Sequence, residues 1–454
     1  MTINKRDGKM KLALQMVSGY GGEFKTWRMP GAVADAYTNM DYYVENAKMA
    51  EKGKIHTLFI ADTPALPNDL STNSPMHPMD PTIALTVVAR ETKHIGIVST
   101  YSTTFTEPYN LARMLKTLDV VSNGRMGWNA VTTSNQEAAA NFGQQLPERN
   151  ARYEMAHEHV EAVQTLWGTF GEDAYIHNQA TGEFVDMSQV KLANYKGKYY
   201  QTRGPLPIPA SPQGQPPIFQ AGGGEKGLEL AGRFASGVYA NPFTKEDAKL
   251  HRMILRKSAE AHGRNPDDIK MFAGFMFSIG KTKEEALERR YMMQEFAPRE
   301  TAHHVEYLGH MVGLSLSVNT IDITKPLPQN LINQMYPSPM DPRSGRAFEL
   351  LKSDMSVKDV LANGVINYHP VVVGTPEMVA DFLEEWYLAD ATDGFSIVPD
   401  SSHDGVKDFV EQVVPILQER GLFHTEYEGE TLRENLGVSY EYGLNHLKSI
   451  KSKC

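Results

Sequence analysis

Cysteine is nearly missing from this chain of 454 residues: there is one, Cys454. A disulfide within the chain is thereby excluded, as is a zinc site of the CxxC type, and the composition suits a reducing compartment. Positive charge is also scarce, with 45 Lys and Arg against 55 Asp and Glu and a net charge of −10. That balance argues against nucleic acid or an anionic membrane as a partner. No apolar run reaches the length that spans a bilayer. The N-terminus, MTINKRDGKMKLALQMVSGYGG, is basic, but its apolar stretch has the size of a buried strand rather than of a secretion signal. A cytoplasmic location is expected. Neither a GxSxG elbow nor an HExxH pair occurs. His157 and His159 flank Glu158, but residues two apart do not share a helix face. They and the adjacent His303 and His304 read as surface or packing residues, and no metal site is expected.

What is there is an ordinary globular composition, 41% hydrophobic and 22% charged, arranged as an alternation. Strand-like segments KLALQMV (11–17), TLFIAD (57–62), IGIVSTYS (95–102), RMGWNAVTT (125–133), PPIFQAG (216–222), GVYAN (237–241), IKMFAGFMFSIG (269–280) and GFSIVP (394–399) are nearly all followed by helical patterns. One of these, TPEMVADFLEEWYLAD (375–390), has Thr375 placed as N-cap and Pro376 at the first helical position. The strands are short, apolar and not alternating, as when both faces are covered. Such alternation fits a doubly wound sheet or a (β/α)8 barrel, and eight units favour the barrel. Two long interruptions, about 171–214 and 297–368, have the length of lids or binding loops. The segment 171–214 holds a hairpin-like KLANYKGKYYQTRG, and 438–454 reads as a basic C-terminal tail.

The stretch QAGGGEKG contains G-x-G-x-x-G as Gly222, Gly224 and Gly227. A dinucleotide fold would need an acidic residue about 20 positions on, at the end of the next strand. That strand ends in Asn241. A plain tight turn into a helix is a second reading. The third is a phosphate cradle in a barrel, where glycines admit the ligand to backbone N–H groups and the helix N-terminus favours the anion. Lys226 in the first turn adds charge. The third reading needs no ribose-binding acid and explains the sequence best.

In a barrel, chemistry gathers where strands end in loops. Those positions carry Asp62, then Thr100 to Thr104, then Trp128, Asn129, Thr132 and Thr133, with Arg149, Arg152 and Tyr153 before the next helix. Asp62 or Asn129 alone would equally suit a cap or a turn. Many donors and acceptors without a nucleophile–base pair suit an organic cofactor that brings its own chemistry.

Several stretches resemble the bacterial-luciferase-like flavin monooxygenases. They are FIADTP, STYSTTFTEPYNLARMLKTLDVVSNGRMGWNAVTTSN, ARYEMAHEHVEAVQTLW, QAGGGEKGLELA, VGTPEMVADFLEEW, DGFSIVP and FVEQVVPILQERGLFHTEYEGETLRENLG. The resemblance runs from about residue 11 to 437 and is strongest to the nitrilotriacetate and dibenzothiophene-sulfone monooxygenase branch. It implies a single TIM-barrel domain over 1–437. It also implies reduced FMN supplied by a separate NAD(P)H:flavin reductase, with O2 as co-substrate. The flavin positions it implies are Asp62, Thr100 and Tyr153, with the phosphate on Gly222, Gly223 and Gly224 and Asn129 facing the flavin ring. The family often has histidine where this chain has Arg149, and serine where it has Gly224. Backbone amides with Arg149 or Lys226 would then hold the phosphate. Trp27 and Arg28, just after the first strand, are expected to border the substrate pocket. Arg28 and Arg149 suit a carboxylated substrate such as an aminopolycarboxylate or a carboxylated thioether, and an organosulfur compound is the further candidate. A homodimer or higher homo-oligomer is a family expectation. Two other readings remain on the same barrel: a deazaflavin-dependent hydride-transfer enzyme and a non-enzymatic flavin-binding protein.

Overall fold

In the computed structural model, which describes residues 8–17, 19–23, 25–66, 70–77 and 79–444, eight parallel strands close on themselves. The elements run β1 (Lys11–Gln15), α1 (Met40–Lys52), β2 (Thr57–Ile60), α2 (Pro81–Glu91), β3 (Gly96–Ser102), α3 (Pro108–Val121), β4 (Met126–Val131), α4 (Gln136–Asn141) and α5 (Arg149–Trp167). Two antiparallel hairpins follow, β5 (Tyr175–Asn178) with β6 (Glu183–Val185) and β7 (Tyr195–Lys196) with β8 (Gln201–Thr202). The barrel resumes with β9 (Ile218–Ala221), α6 (Glu225–Phe234), β10 (Gly237–Ala240), α7 (Lys245–Ala261), β11 (Lys270–Ile279) and α8 (Lys283–Phe296). Four helices form the second interruption: α9 (Pro298–Met311), α10 (Gln329–Ile332), α11 (Ser344–Lys352) and α12 (Val357–Ala362). The chain continues through β12 (Val371–Gly374), α13 (Pro376–Leu388), β13 (Gly394–Pro399), α14 (Ser402–Asp408), a π-helical turn, α15 (Val414–Glu419) and α16 (Leu432–Leu436).

Strand β1 pairs with β2 on one side and with β13 on the other, and β10 pairs with β11, so the ring has no gap. The barrel expected from strand–helix alternation is therefore present, and the doubly wound alternative is not. Local signals set the boundaries. The Asp80 carboxylate accepts from the N–H groups of Thr82 and Ile83 to start α2, with Pro81 at its first position. Thr375 caps α13 in the same way.

The lumen is filled by Ala13, Phe59, Val98, Phe219, Tyr239 and Phe272, closed from below by Leu432, Leu436 and Val438. The chain stays structured past 437: Tyr442 is buried, and the buried Glu441 pairs with Arg433 at 2.9 Å. The tail beyond 444, with Cys454, lies outside the described residues.

One parallel strand escapes the sequence reading. Strand β11 is long enough to pair with β10 through its first residues and with β12 through Met276–Ile279. Strand β12 brings the chain back from the second interruption, whose helices share an apolar core of their own built on Val305, Leu308, Val312, Leu351 and Val360.

Candidate functional site

A cavity of about 830 Å³ opens at the C-terminal ends of the barrel strands. It is lined by strand ends (Gln15, Phe59, Asp62, Thr100, Asn129, Gly222, Gly223) and by Tyr368 and His369 from the second interruption. A side lobe of about 580 Å³ shares Asp62, Thr63, Met76 and His77 with it. The stacked rings of Phe59 and Tyr239, with centroids 4.2 Å apart, form the apolar floor.

Thr100 and Asn129 are register partners on β3 and β4. Both are buried, at 2% and 1% exposure. The Thr100 hydroxyl donates to the Ile60 carbonyl at 2.9 Å. Asn129 Nδ2 donates to the same hydroxyl oxygen at 3.0 Å. Asn129 Oδ1 is buried and has no partner. Buried acceptors are normally satisfied, so this atom marks a place for a donor on a ligand.

Asp62 follows β2. Burial, reinforced by the carboxylate of Asp80, raises its carboxyl from 3.8 to about 6. Asp80 itself accepts from the Tyr101 hydroxyl.

Across the mouth lies the glycine loop. Gly222 has φ +145°, which a side chain would strain. Gly224 is the N-cap of α6 and offers no side-chain cap, so the first N–H groups of the helix are open to an anion. The Tyr153 hydroxyl faces this loop, 3.4 Å from where a methyl on Gly227 would lie. A side chain at 224 would meet the Arg149 guanidinium at 2.6 Å. Arg149 thus occupies the space that a serine side chain at 224 would take, and the two departures from the family pattern are complementary. The buried Gln220 Oε1, at the end of β9, also lacks a partner. A glycine cradle open to an anion and a buried acceptor without a partner, both on one cavity, fit flavin mononucleotide: a phosphate on a flat ring that carries N–H groups.

The structure gathers Asp62, Thr100, Asn129, Gly222 and Gly223 around one cavity and sets Arg149, Tyr153 and Gly224 against the same loop. Trp27 and Arg28 go elsewhere. They lie in a short 3₁₀ turn, Thr26–Arg28, and do not line the barrel cavity. The Trp27 indole N–H donates to the Thr72 carbonyl at 3.2 Å. Arg28 donates to the Phe296 carbonyl at 3.1 Å and stacks over that ring at 4.6 Å. The guanidinium is spent on the C-terminal end of α8, where a cation is favoured. No lysine or arginine is among the described residues lining the cavity.

Three lining histidines were not visible in the sequence: His77, His251 and His369. Burial holds all three below the usual imidazole range, His77 and His369 at about 4. His369 is 8% exposed and its Nδ1 lacks a partner. Gly274 of β11 makes room for it, since a methyl there would lie 2.2 Å from its ring. Of the histidines set aside as packing, His159 is buried with Nε2 3.0 Å from the Thr106 carbonyl oxygen. His303 is exposed beside Glu306.

The family model of luciferase-like monooxygenases matches residues 23–393. The chain is 38% identical over 449 residues to an N-acetyl-S-(2-succino)cysteine monooxygenase of Bacillus subtilis (strain 168), covering 96% of this chain and 98% of that one. It is 33% identical to nitrilotriacetate monooxygenase component A of Aminobacter aminovorans, covering 94% and 95%. Among solved structures, EDTA monooxygenase from Chelativorans sp. BNC1 superposes with a TM-score of 0.81 at 30% identity, covering 95% of this chain and 99% of that one. A riboflavin lyase holding modified FMN and riboflavin superposes with a TM-score of 0.77 at 29% identity, covering 97% and 98%.

Proposed function

Because the chain belongs to the luciferase-like monooxygenase family, we propose that it is the oxygenase of a two-component system that takes reduced FMN from a separate NAD(P)H:flavin reductase and uses O2 to oxygenate a thioether or related organosulfur compound. It is an enzyme, a flavin-dependent monooxygenase acting on a small organic substrate. The observation that carries the reading is the pairing, in one cavity, of the glycine cradle at 222–224 with the unpartnered Asn129 Oδ1. Arg149, Tyr153 and the first N–H groups of α6 would hold the phosphate, while Asp62, Asn129 and the Phe59–Tyr239 floor would hold the ring. When bound, reduced flavin supplies the electrons that activate O2. The chain's own task is to bind, to orient and to exclude water. Pro342, Tyr368 and His369, which lie before β12, line the cavity beside the strand ends.

A thioether is favoured over an aminopolycarboxylate because the relative at 38% identity is named for a thioether, against 33% for the one named for nitrilotriacetate. A cytoplasmic homo-oligomer completes the reading, supported by the cysteine-poor composition and by family resemblance. Among the described residues no helix is long and apolar enough to cross a membrane.

The test is oxygen uptake with a flavin reductase, NADH and FMN, in the presence of N-acetyl-S-(2-succino)cysteine, dimethyl sulfide or nitrilotriacetate in turn. Substrate-dependent uptake with oxygenated product is expected for a thioether. Product from nitrilotriacetate alone would overturn the thioether assignment, and failure to bind reduced FMN would overturn the cofactor assignment.

A further inference from the structure

The two side chains at the ends of β3 and β4 form a chain with a direction. A threonine hydroxyl carries one hydrogen and two lone pairs. The Thr100 hydrogen goes to the Ile60 carbonyl, 2.9 Å away. What the hydroxyl has left to offer is acceptance, and Asn129 Nδ2 uses it at 3.0 Å. The amide nitrogen is thereby committed to the barrel wall. Turning the amide over would set its oxygen against an oxygen with no hydrogen to give. Oδ1 is the half of the amide that remains, buried and without a partner, on a residue that lines the cavity. It is a fixed acceptor, in contrast to a hydroxyl, which rotates to suit either kind of partner.

A flavin changes character at this level of detail when it is reduced. A central-ring nitrogen that is a bare acceptor in the oxidised form gains a hydrogen and becomes a donor. A fixed acceptor gains a hydrogen bond from the reduced ring and meets a lone pair on the oxidised one. We propose that Thr100 is a positioning residue that locks the Asn129 carbonyl toward the cavity, so that the site binds reduced flavin in preference to oxidised flavin. The proposal rests on the flavin reading above. It gives Thr100 a role through Asn129, and it assigns to one amide the discrimination needed by an enzyme whose cofactor arrives reduced and leaves oxidised.

The experiment is anaerobic equilibrium binding of oxidised FMN and of dithionite-reduced FMN to the wild type, Thr100→Val, Thr100→Ser and Asn129→Leu, with thermal melting to confirm folding. The wild type is expected to bind reduced FMN about tenfold more tightly than oxidised FMN, the worth of one hydrogen bond. Thr100→Val frees the amide to turn and brings the ratio close to one, chiefly by weakening the reduced form. Thr100→Ser, which keeps the hydroxyl, restores the ratio, and Asn129→Leu abolishes it. A Thr100→Val protein that weakens both forms by the same factor would show a merely structural residue and overturn the proposal. A wild type that prefers oxidised FMN would do the same. Binding of neither form by the folded wild type would refute the flavin reading itself, a result distinct from an unchanged ratio.

Discussion

Asp62 is a carboxyl held against its preference. Burial and the neighbouring charge of Asp80 raise it from 3.8 to about 6, so ionising it costs the folded state more than the unfolded one. The sign follows from linkage. Below pH 4 both states are protonated and Asp62 contributes nothing. Between pH 4 and 6 the unfolded chain ionises first and stability falls. Above pH 6 the loss is constant. Asp62→Asn is therefore expected to raise the thermal midpoint above pH 6, with the gain fading below pH 4, as melting curves across that range would register. A difference between wild type and Asp62→Asn that does not change between pH 4 and pH 6 would refute the assignment. The same substitution removes a group that lines the cavity, so flavin affinity is expected to fall as stability rises, the usual exchange at a binding site. That Asp62, Thr100 and Asn129 converge was legible in the sequence, because a barrel places every strand end on one rim. That Thr100 serves Asn129 was not, since the direction of a hydrogen bond is decided by neighbours such as the Ile60 carbonyl.

At the scale of elements, strand ends were readable and what the second interruption delivers was not. Strand β12 reads VVVG, a short apolar run that periodicity alone does not distinguish from buried loop. Its pairing with the upper half of β11 fixes where the four-helix unit rejoins the barrel, and with it the position of His369. Arg28 is the contrasting case: it stands just after a strand end, and its side chain goes to the end of α8. The Gly274–His369 contact allows a direct test of this junction. Gly274→Ala places a methyl 2.2 Å from the imidazole, and a packed wall resists such an insertion by about 1–3 kcal/mol. In a His369→Ala background the space is open and that cost should vanish. Urea denaturation of both single variants and the double variant would measure the coupling. Strictly additive effects would show that the glycine does not make room for the histidine.

Over the whole molecule, the barrel is plugged from below by a segment far along the chain. Leu432 and Leu436 are fully buried, beneath Gly96 and Gly127, where a methyl would lie 2.5 and 3.1 Å from Leu432. Thr431 and Glu434 form a reciprocal capping box that holds the short helix in place. Leu432→Ala should cost about 2–5 kcal/mol, as a large-to-small change in a closed core does, and chemical denaturation would measure it. A loss below 1 kcal/mol would mean that the plug is not part of the cooperative unit.

The seam between β1 and β13 has a consequence in time. Residue 11 leaves the ribosome well before its register partner, residue 394. At 5–20 residues per second, roughly 20–80 s separate the two. For that interval the first strand carries an unpaired edge, the kind of surface that recruits other chains. The nascent protein must therefore be sheltered, by its own partly folded βα units or by a chaperone, until the last strand arrives to complete the ring.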